Sequence, residues 1–321
     1  MPTVTRDSLE KHQVWVYLGT VILGAGVGLI WPEGSQRLDA LVWPTLGLLL
    51  YATFTQMNLA DVPRSLKDTR FLIAALVGNF LVIPAVVFGI ISLLPSEDAL
   101  ILGLLLVLLV PCTDWFITFS SLGRGDALRA SALTPVVLFL QLGLLPLYLF
   151  LLTDFDLGGV FGIEAVWPAL VVLAAPLAGA ILTEAGSRRA KPLAIVRDKA
   201  GWFPVPLLAV VILFVAASHI VPMQENLGLL PWVGLAVGLF LISALLIAKI
   251  IAAVLRLPIE QGRTLSFSLG SRNSFIVLPF ALSLPAGWEI AAIVIVVQSL
   301  IELFGMIFYV WFVPTVWFPK R

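Results

Sequence analysis

The sequence predicts an all-helical membrane protein that crosses the bilayer ten times, and three observations support this prediction. Of the 321 residues, 60% are hydrophobic and only 12% are charged, whereas a soluble domain has about 25% charged residues. The mean hydropathy is +1.06. Ten apolar runs are each long enough to cross a bilayer, which takes about 20 residues, and the positive charges lie on alternate sides of these runs.

The apolar runs and the polar breaks between them give the bounds of each predicted span. The spans are 13–30, 38–58, 70–94, 97–122, 127–152, 164–184, 200–218, 229–256, 264–284 and 288–313. They leave no room for a sizeable soluble domain. All but three of the nineteen basic residues fall on one side, the exceptions being Arg37, Lys249 and Arg272. The positive-inside rule therefore predicts that both termini lie in the cytoplasm, and we expect a multi-pass protein of the plasma membrane.

Composition and motifs exclude several other classes of function. The net charge of zero gives no electrostatic attraction to nucleic acid. The single cysteine, Cys112, excludes an intrachain disulfide. No phosphate-binding loop or nucleophile motif is present, so we expect a transporter of a small solute, not an enzyme, and no cofactor. The sequence leaves the oligomeric state open.

Two polar breaks interrupt the predicted spans four and nine. Pro111 breaks span four because proline lacks a main-chain donor and clashes with the preceding turn. Gly270 marks the break in span nine. Polar residues follow each break at once: Cys112, Thr113 and Asp114 in span four, and Ser271, Arg272 and Asn273 in span nine.

The two breaks occupy matching places in the two halves of the chain. They lie 159 residues apart, and five spans separate them, so the equivalent helices run in opposite directions. This pattern is typical of an inverted repeat of five plus five spans. Because unwound backbone at membrane depth survives only where it lines a protein cavity, we expect the breaks to meet near the midplane and form the binding site. The alternative is two unrelated kinks.

Three ionisable groups are predicted to lie within the membrane: Asp114, Arg272 and Glu302. Each costs at least about 2.5–3.5 kcal/mol if unpaired at the centre of a helix. Arg272 cannot lose its proton, so we expect it to pair with Asp114 and to leave Glu302 as a carrier of protons. Glu302 and Asp114 are the candidate residues for proton coupling. The alternative is a fixed bridge between Arg272 and Glu302. Gln298, which shares a helix face with Glu302, and Gln141 in span five are expected to support the site.

Cys112 lies within the predicted cavity. A thiolate is a soft ligand that suits soft metals and metalloids, so Cys112 is a candidate metalloid ligand. The alternative is a small packing residue, which is the ordinary role of a lone cysteine in a core.

Three segments resemble the bile acid:sodium symporter superfamily and, within it, the arsenical-resistance branch of arsenite efflux permeases. The first segment runs from Pro111 to Asp126, with a cysteine at Cys112 and a Gly-Asp turn at Gly125 and Asp126. The second is Gly270-Ser-Arg-Asn273, which is similar to the crossover of span nine. The third runs from Val297 to Glu302, and the branch has an important glutamate at its end.

This resemblance implies a fold of two parts and a role for two residues. A panel would comprise 1–58 and 164–218, a core would comprise 70–152 and 229–313, and 314–321 would form a cytoplasmic tail. Alternating access would move the core against the panel. Cys112 would bind trivalent arsenic or antimony, and Glu302 would take part in proton coupling.

The sequence also departs from both groups of relatives. Where sodium-coupled relatives have a glutamate and a glutamine in the span-nine crossover, this chain has Ser268 and Arg272, and it has Phe116 and Ile117 where they have small polar residues. A fixed guanidinium repels a sodium ion. The arsenite branch usually has small or apolar residues after its cysteine, whereas this chain has Asp114 and Trp115.

The leading hypothesis is therefore a secondary transporter that exports arsenite or antimonite in exchange for protons. The alternative is a transporter of a small organic anion, linked to protons or sodium, with the anion bound by Arg272 and helix ends. A non-transporting receptor is a third class. We disfavour it because broken helices with buried charge are costly without a transport cycle.

Overall fold

A computed structural model describes residues 6–57, 68–153 and 163–320. Residues 1–5, 58–67, 154–162 and 321 lie outside the described residues; they include position 58 of the expected panel and the last residue of the expected tail. The described residues contain helices and no strand. The α-helices are α1 (Arg6–Ile30), α2 (Pro32–Ser35), α3 (Asp39–Thr55), α4 (Thr69–Val77), α5 (Ile83–Ile91), α6 (Asp98–Leu108), α7 (Trp115–Leu122), α8 (Ala127–Leu152), α9 (Ile163–Ser187), α10 (Lys191–Ala200), α11 (Pro204–Glu225), α12 (Leu230–Val254), α13 (Ile259–Gly270), α14 (Ser274–Leu282) and α15 (Glu289–Phe312).

Eight of the helical stretches in the described residues are long and apolar enough to cross a membrane. This result agrees with the predicted polytopic, all-helical class. Each of the predicted spans four and nine consists of two shorter helices, α6 with α7 and α13 with α14. The total of ten spans and the inverted repeat remain predictions. Two π-helical turns, Gly78–Val82 and Val313–Trp317, join α4 to α5 and extend α15.

The chain divides into two compact units. Unit 1 comprises Met1–Met57, Gly158–Leu227 and Phe275–Val296, and unit 2 comprises Asn58–Leu157, Gly228–Ser274 and Val297–Arg321. Residues 275–296 group with unit 1, although the resemblance assigns them to the core. The roles of panel and core remain predictions.

In unit 1, α1 packs closely against α11 because glycines of α1, which have no side chain, lie at the interface. A Cβ atom at Gly24 would lie 2.5 Å from the Leu213 carbonyl oxygen, and one at Gly28 would lie 2.2 Å from the Ala217 carbonyl oxygen. A spacing of four residues between small residues lets two helix backbones approach in a membrane. Gly26 differs from both, since a Cβ atom there would meet nothing within 4 Å.

Side chains of α9 and α10 fix the end of α3, also in unit 1. Arg197 of α10 donates to the carbonyl oxygens of Thr55 (3.1 Å) and Met57 (3.3 Å). The last carbonyls of a helix have no partner within that helix, so this arginine supplies the missing donors. Tyr51 and Thr183 share a hydrogen bond of 2.8 Å between their hydroxyls, which joins α3 to α9.

In unit 2, a proline explains an unusual bond between α8 and the π-helical turn that precedes α5. Pro84 has no N–H to donate to the carbonyl of Phe80, four residues earlier. The hydroxyl of Tyr148 donates to this carbonyl instead, at 2.5 Å. A freed main-chain carbonyl at membrane depth needs such a partner, and the bond pins the π-helical turn that precedes α5.

Aspartate side chains cap the N-termini of α4, α7 and α8 in unit 2, and those of α4 and α8 belong to a polar cluster. Asp68 and Asp126 cap α4 and α8 by accepting main-chain N–H bonds. The side chain of Arg129 bridges both carboxylates, and Gln261 of α13 donates to Asp68 at 2.9 Å. Burial raises the pKa of Asp68, but the bonds from Arg129, the Phe71 N–H and Gln261 outweigh it, so this pKa lies below its ordinary value.

The turn between α7 and α8 lies against α13. A Cβ atom at Gly123 would lie 2.3 Å from the ring of Phe267, and one at Gly125 would lie 2.7 Å from the hydroxyl of Thr264. That hydroxyl accepts the N–H of Asp126 at 2.6 Å. The Gly-Asp turn therefore allows α8 to begin in contact with the helix that carries the second break.

We expect Gly28→Ala to destabilise the protein and Gly26→Ala to stabilise it slightly. The first change forces a methyl group against main-chain atoms, and overpacking costs about 1–3 kcal/mol. The second fills open space and removes a helical glycine, which favours the helix by about 0.5–1 kcal/mol. Thermal unfolding of the purified variants measures both effects, and equal shifts for the two variants would contradict the close packing.

Candidate functional site

Both predicted breaks are present at the expected residues. The helix α6 ends at Leu108, three residues before Pro111, and α7 begins at Trp115. The helix α13 ends at Gly270, and α14 begins at Ser274 after three non-helical residues. The two unwound segments, 109–114 and 271–273, belong to unit 2.

The unwound segments cross as a short piece of antiparallel ladder. Pro111 and Arg272 face each other in an isolated bridge. Two main-chain bonds flank this pair, from the N–H of Cys112 to the Ser271 carbonyl (3.1 Å) and from the N–H of Asn273 to the Val110 carbonyl (2.8 Å). Each segment thus satisfies groups that its own broken helix leaves unpaired.

A side-chain bond reinforces the crossing beside the ladder. The amide nitrogen of Asn273 donates to the hydroxyl of Thr113 at 2.8 Å. Both residues are buried. Gly270 permits close packing at the same place, because a Cβ atom there would lie 2.7 Å from the ring of Tyr309, whose hydroxyl donates to the carbonyl of Leu241.

Glu302 of α15 binds the main chain of the crossing. Both of its carboxylate oxygens accept the N–H of Arg272, each at 3.0 Å. Gln298, one turn earlier on the same face, donates to Glu302 at 2.6 Å and accepts the Ser274 hydroxyl at 3.0 Å. The predicted helix face of Gln298 and Glu302 therefore contacts the second break and the first residue of α14.

The guanidinium of Arg272 lies among neutral oxygens. Its Nη2 atom donates to the side-chain oxygen of Asn79 (2.9 Å) and to the carbonyls of Leu269 (2.6 Å) and Ser268 (3.2 Å). Its Nη1 atom donates to the carbonyl of Leu108 at 3.4 Å. The side chain is 1% exposed, so this set of oxygens takes the place of water.

The expected ion pair between Arg272 and Asp114 is wrong for the described residues, and so is a bridge between the side chains of Arg272 and Glu302. No ion pair within 4.0 Å in this part of the chain includes the Arg272 guanidinium. The reason is that α6 and α13 both end at the crossing. The last carbonyls of each helix lack intrahelical partners and carry the negative end of the helix dipole, so they accept the guanidinium.

Asn79 and Ser268 belong to this arrangement, although neither is among the site residues that the sequence predicts. Asn79 is fully buried in the π-helical turn. Its nitrogen donates to the Ala75 carbonyl (3.0 Å) and the Ser268 hydroxyl (3.1 Å) while its oxygen binds Arg272. The available signal was a lone asparagine within an apolar span, five residues before Pro84, since π-helical turns often mark functional sites.

Cys112 and Asp114 form a second pair at the first break. The Cys112 thiol donates to a carboxylate oxygen of Asp114 at 3.2 Å, and the same oxygen accepts the N–H of Trp115 at 2.8 Å. Cys112 is 3% exposed, whereas Asp114 is partly exposed. Asp114 therefore caps α7 and orients the thiol with one oxygen.

Gln141 is not brought into this network. It is buried in α8, and neither its amide oxygen nor its amide nitrogen has a hydrogen-bond partner among the described residues. The described residues also contain no group of three or more His, Cys, Asp or Glu side chains that could hold a metal ion. A metalloid at Cys112 would thus bind through one protein sulfur.

Comparison with known proteins identifies the kind of protein that this chain resembles. The model of the Sodium Bile acid symporter family matches residues 43–254. Curated relatives named P3 protein are 26% identical in mouse and 27% identical in cattle and human, each over 254 residues and 73% of this chain. The chain spans about half the length of these relatives. The family match includes Asn79, Cys112 and Asp114, and it ends before Arg272 and Glu302.

We expect Glu302→Gln to destabilise the protein and Glu289→Gln to have little effect. Each carboxylate accepts a single main-chain N–H through both oxygens, but Glu302 is buried and Glu289, which binds Gly287, is exposed. A hydrogen bond to a buried charged group contributes about 1.5–3 kcal/mol, whereas surface changes stay within about 0.5 kcal/mol. Thermal unfolding of both variants tests this, and equal losses would contradict the role of Glu302.

Proposed function

The chain belongs to the sodium bile acid symporter family, and we propose that this membrane transporter exports arsenite or antimonite in exchange for protons. The solute would bind at the crossing of the two unwound segments, and alternating access would move the predicted core against the predicted panel. The proposal includes a plasma-membrane location and cytoplasmic termini, and the alternation of positive charges supports the orientation of the termini.

The observation that carries the proposal is the hydrogen bond between the Cys112 thiol and the partly exposed carboxylate of Asp114. Arsenite is a neutral trihydroxide near neutral pH. When a thiol condenses with it, a sulfur–arsenic bond forms, an arsenic–oxygen bond breaks, and the thiol proton leaves with the hydroxide as water. Asp114 is placed to take the thiol proton and pass it to the departing hydroxide, and on release it would pass a proton from the attacking water back to the sulfur, so the reaction is reversible at one sulfur.

A single thiol suits a transporter better than a cluster of thiols. Several sulfurs around one arsenic would hold it tightly, whereas a solute in transit must bind weakly enough to leave. Cys112 is the chain's one cysteine. The other two arsenic ligands would remain hydroxyls, and polar groups such as Asp114 and the Thr113–Asn273 pair could accept or donate to them.

Glu302 is the proposed site of proton coupling. As a carboxylate it accepts the Arg272 N–H and a bond from Gln298. Protonation converts one of its oxygens into a donor, so that oxygen becomes a poorer acceptor for the Arg272 N–H and the other oxygen remains the main acceptor. One proton would therefore weaken the contact between α15 and the second unwound segment, and this links proton binding to the geometry of the solute site.

The family's description favours a second candidate, a small organic anion such as a bile acid. Two features of the site weigh against it. The Arg272 guanidinium is already bonded to four oxygens, and the first N–H of α7, which would otherwise attract an anion, is capped by Asp114. We therefore rank metalloid export first.

The test is solute uptake into proteoliposomes that contain the purified full chain. Arsenite, antimonite and a bile acid are each offered under a pH gradient and then under a sodium gradient. We expect arsenite uptake driven by the pH gradient and a loss of at least about tenfold in Cys112→Ser, which corresponds to about 1.4 kcal/mol of transition-state free energy. Ser120→Ala is the matched control, since Ser120 is buried in α7 and its hydroxyl has no described partner.

Three outcomes would contradict metalloid export through Cys112. Equal arsenite uptake by the wild type and Cys112→Ser would reduce Cys112 to a packing residue. Uptake of the bile acid alone, unaffected by Cys112→Ser, would establish the second candidate. If no solute moved under either gradient, the protein would belong to the non-transporting class.

A further inference from the structure

Three oxygens around Arg272 converge on a single atom. The side-chain oxygen of Asn79 and the carbonyls of Ser268 and Leu269 all lie within 3.2 Å of Nη2. A guanidinium nitrogen of this kind carries two protons, so three acceptors exceed its donors. At the same time, Nε is buried with no hydrogen-bond partner among the described residues. The oxygens therefore do not match the planar fork of an arginine.

Convergent neutral oxygens are instead typical of a site for a point cation. Carbonyl and amide oxygens are the ligands of hard cations, and in transporters the unwound carbonyls and the C-terminal ends of half-helices coordinate sodium. Ser268 and Leu269 stand at the end of α13, and Leu108, which accepts Nη1, ends α6.

The electrostatics of the pocket also favour one positive charge. The C-terminus of each helix carries about half a negative elementary charge, so the ends of α6 and α13 together balance one cation. The face of the Phe240 ring lies 5.0 Å from the guanidinium carbon and adds a cation–π attraction. Glu302 binds the main-chain N–H of Arg272 rather than its guanidinium.

We propose that Arg272 fills a monovalent-cation site with its own side chain, and that shortening this side chain opens the site to sodium. The oxygens of Asn79, Ser268, Leu269 and Leu108 would be the ligands. Because the guanidinium cannot lose its proton, the charge is permanent and the wild type needs no sodium ion there. This inference rests on the geometry of unit 2 and is independent of the transported solute.

The first test measures the thermal unfolding of purified full-length protein in sodium, potassium and choline chloride at equal ionic strength. We expect the wild type to unfold at one temperature in all three salts. Arg272→Ala should unfold at a lower temperature in choline and recover saturably, by several degrees, as sodium replaces choline. The sodium titration identifies binding, because a general salt effect would not saturate.

Arg263→Ala is the matched control. Arg263 is also 1% exposed and also lies on α13. Its guanidinium donates to only two described carbonyls, those of Phe318 and Arg124, which do not converge on one nitrogen. This variant should lose stability without gaining a response to sodium. The same saturable response in Arg263→Ala, or none in Arg272→Ala, would overturn the proposal.

A second comparison tests the proposed cation site if Arg272→Ala cannot be purified in any of the three salts. Arg272→Lys retains a compact point charge, and Arg272→Gln has a neutral side chain. If the site is built for a point cation, Arg272→Lys should unfold several degrees above Arg272→Gln. If the site needs the planar fork of arginine, both variants should lose the same amount of thermal stability. Equal losses would overturn the proposal, and neither comparison depends on arsenite transport.

Discussion

The contact between the Glu302 carboxylate and the N–H of Arg272 is the interaction on which the crossing of unit 2 depends. An unwound segment inside an apolar environment exposes main-chain groups that water cannot reach, and each unsatisfied group costs several kcal/mol. The ladder through Pro111 satisfies groups on one edge of the second segment. The N–H of Arg272 lies outside that ladder, and Glu302 supplies its acceptor.

The fixed charge of Arg272 is stabilised by helix-end carbonyls and not by an ion pair. A buried ion pair requires both partners to give up their water, and the attraction often fails to offset that loss. Here the cation contacts helix ends whose carbonyls are already deprived of partners. Removing these carbonyls from water would be costly without a donor. The arginine therefore stabilises the two helix ends, and the helix ends stabilise its buried charge. Asn79 joins them because a π-helical turn directs it toward α13.

The sequence predicts the local features of this site and misses the long-range ones. The breaks at Pro111 and Gly270 follow from the missing donor of proline and the flexibility of glycine, and the shared face of Gln298 and Glu302 follows from helical spacing. The partner of Arg272 does not follow from spacing. Asn79 lies 193 residues away along the chain, and a charge-pairing argument favoured Asp114 because it ignores the neutral carbonyls that every broken helix exposes.

The crossing therefore combines one charge that cannot change with two that can. Arg272 carries a permanent charge near neutral pH, so its bonds to the ends of α6 and α13 do not depend on the binding of a proton. Glu302 and Asp114 can each gain a proton, and each binds a main-chain N–H at one of the unwound segments. A proton on either carboxylate acts directly on the backbone that joins two half-helices. Because the Cys112 thiol binds one of these carboxylates, the proposed solute binding at sulfur and the proposed proton binding at oxygen would both alter hydrogen bonds of the same crossing, and this would couple the two.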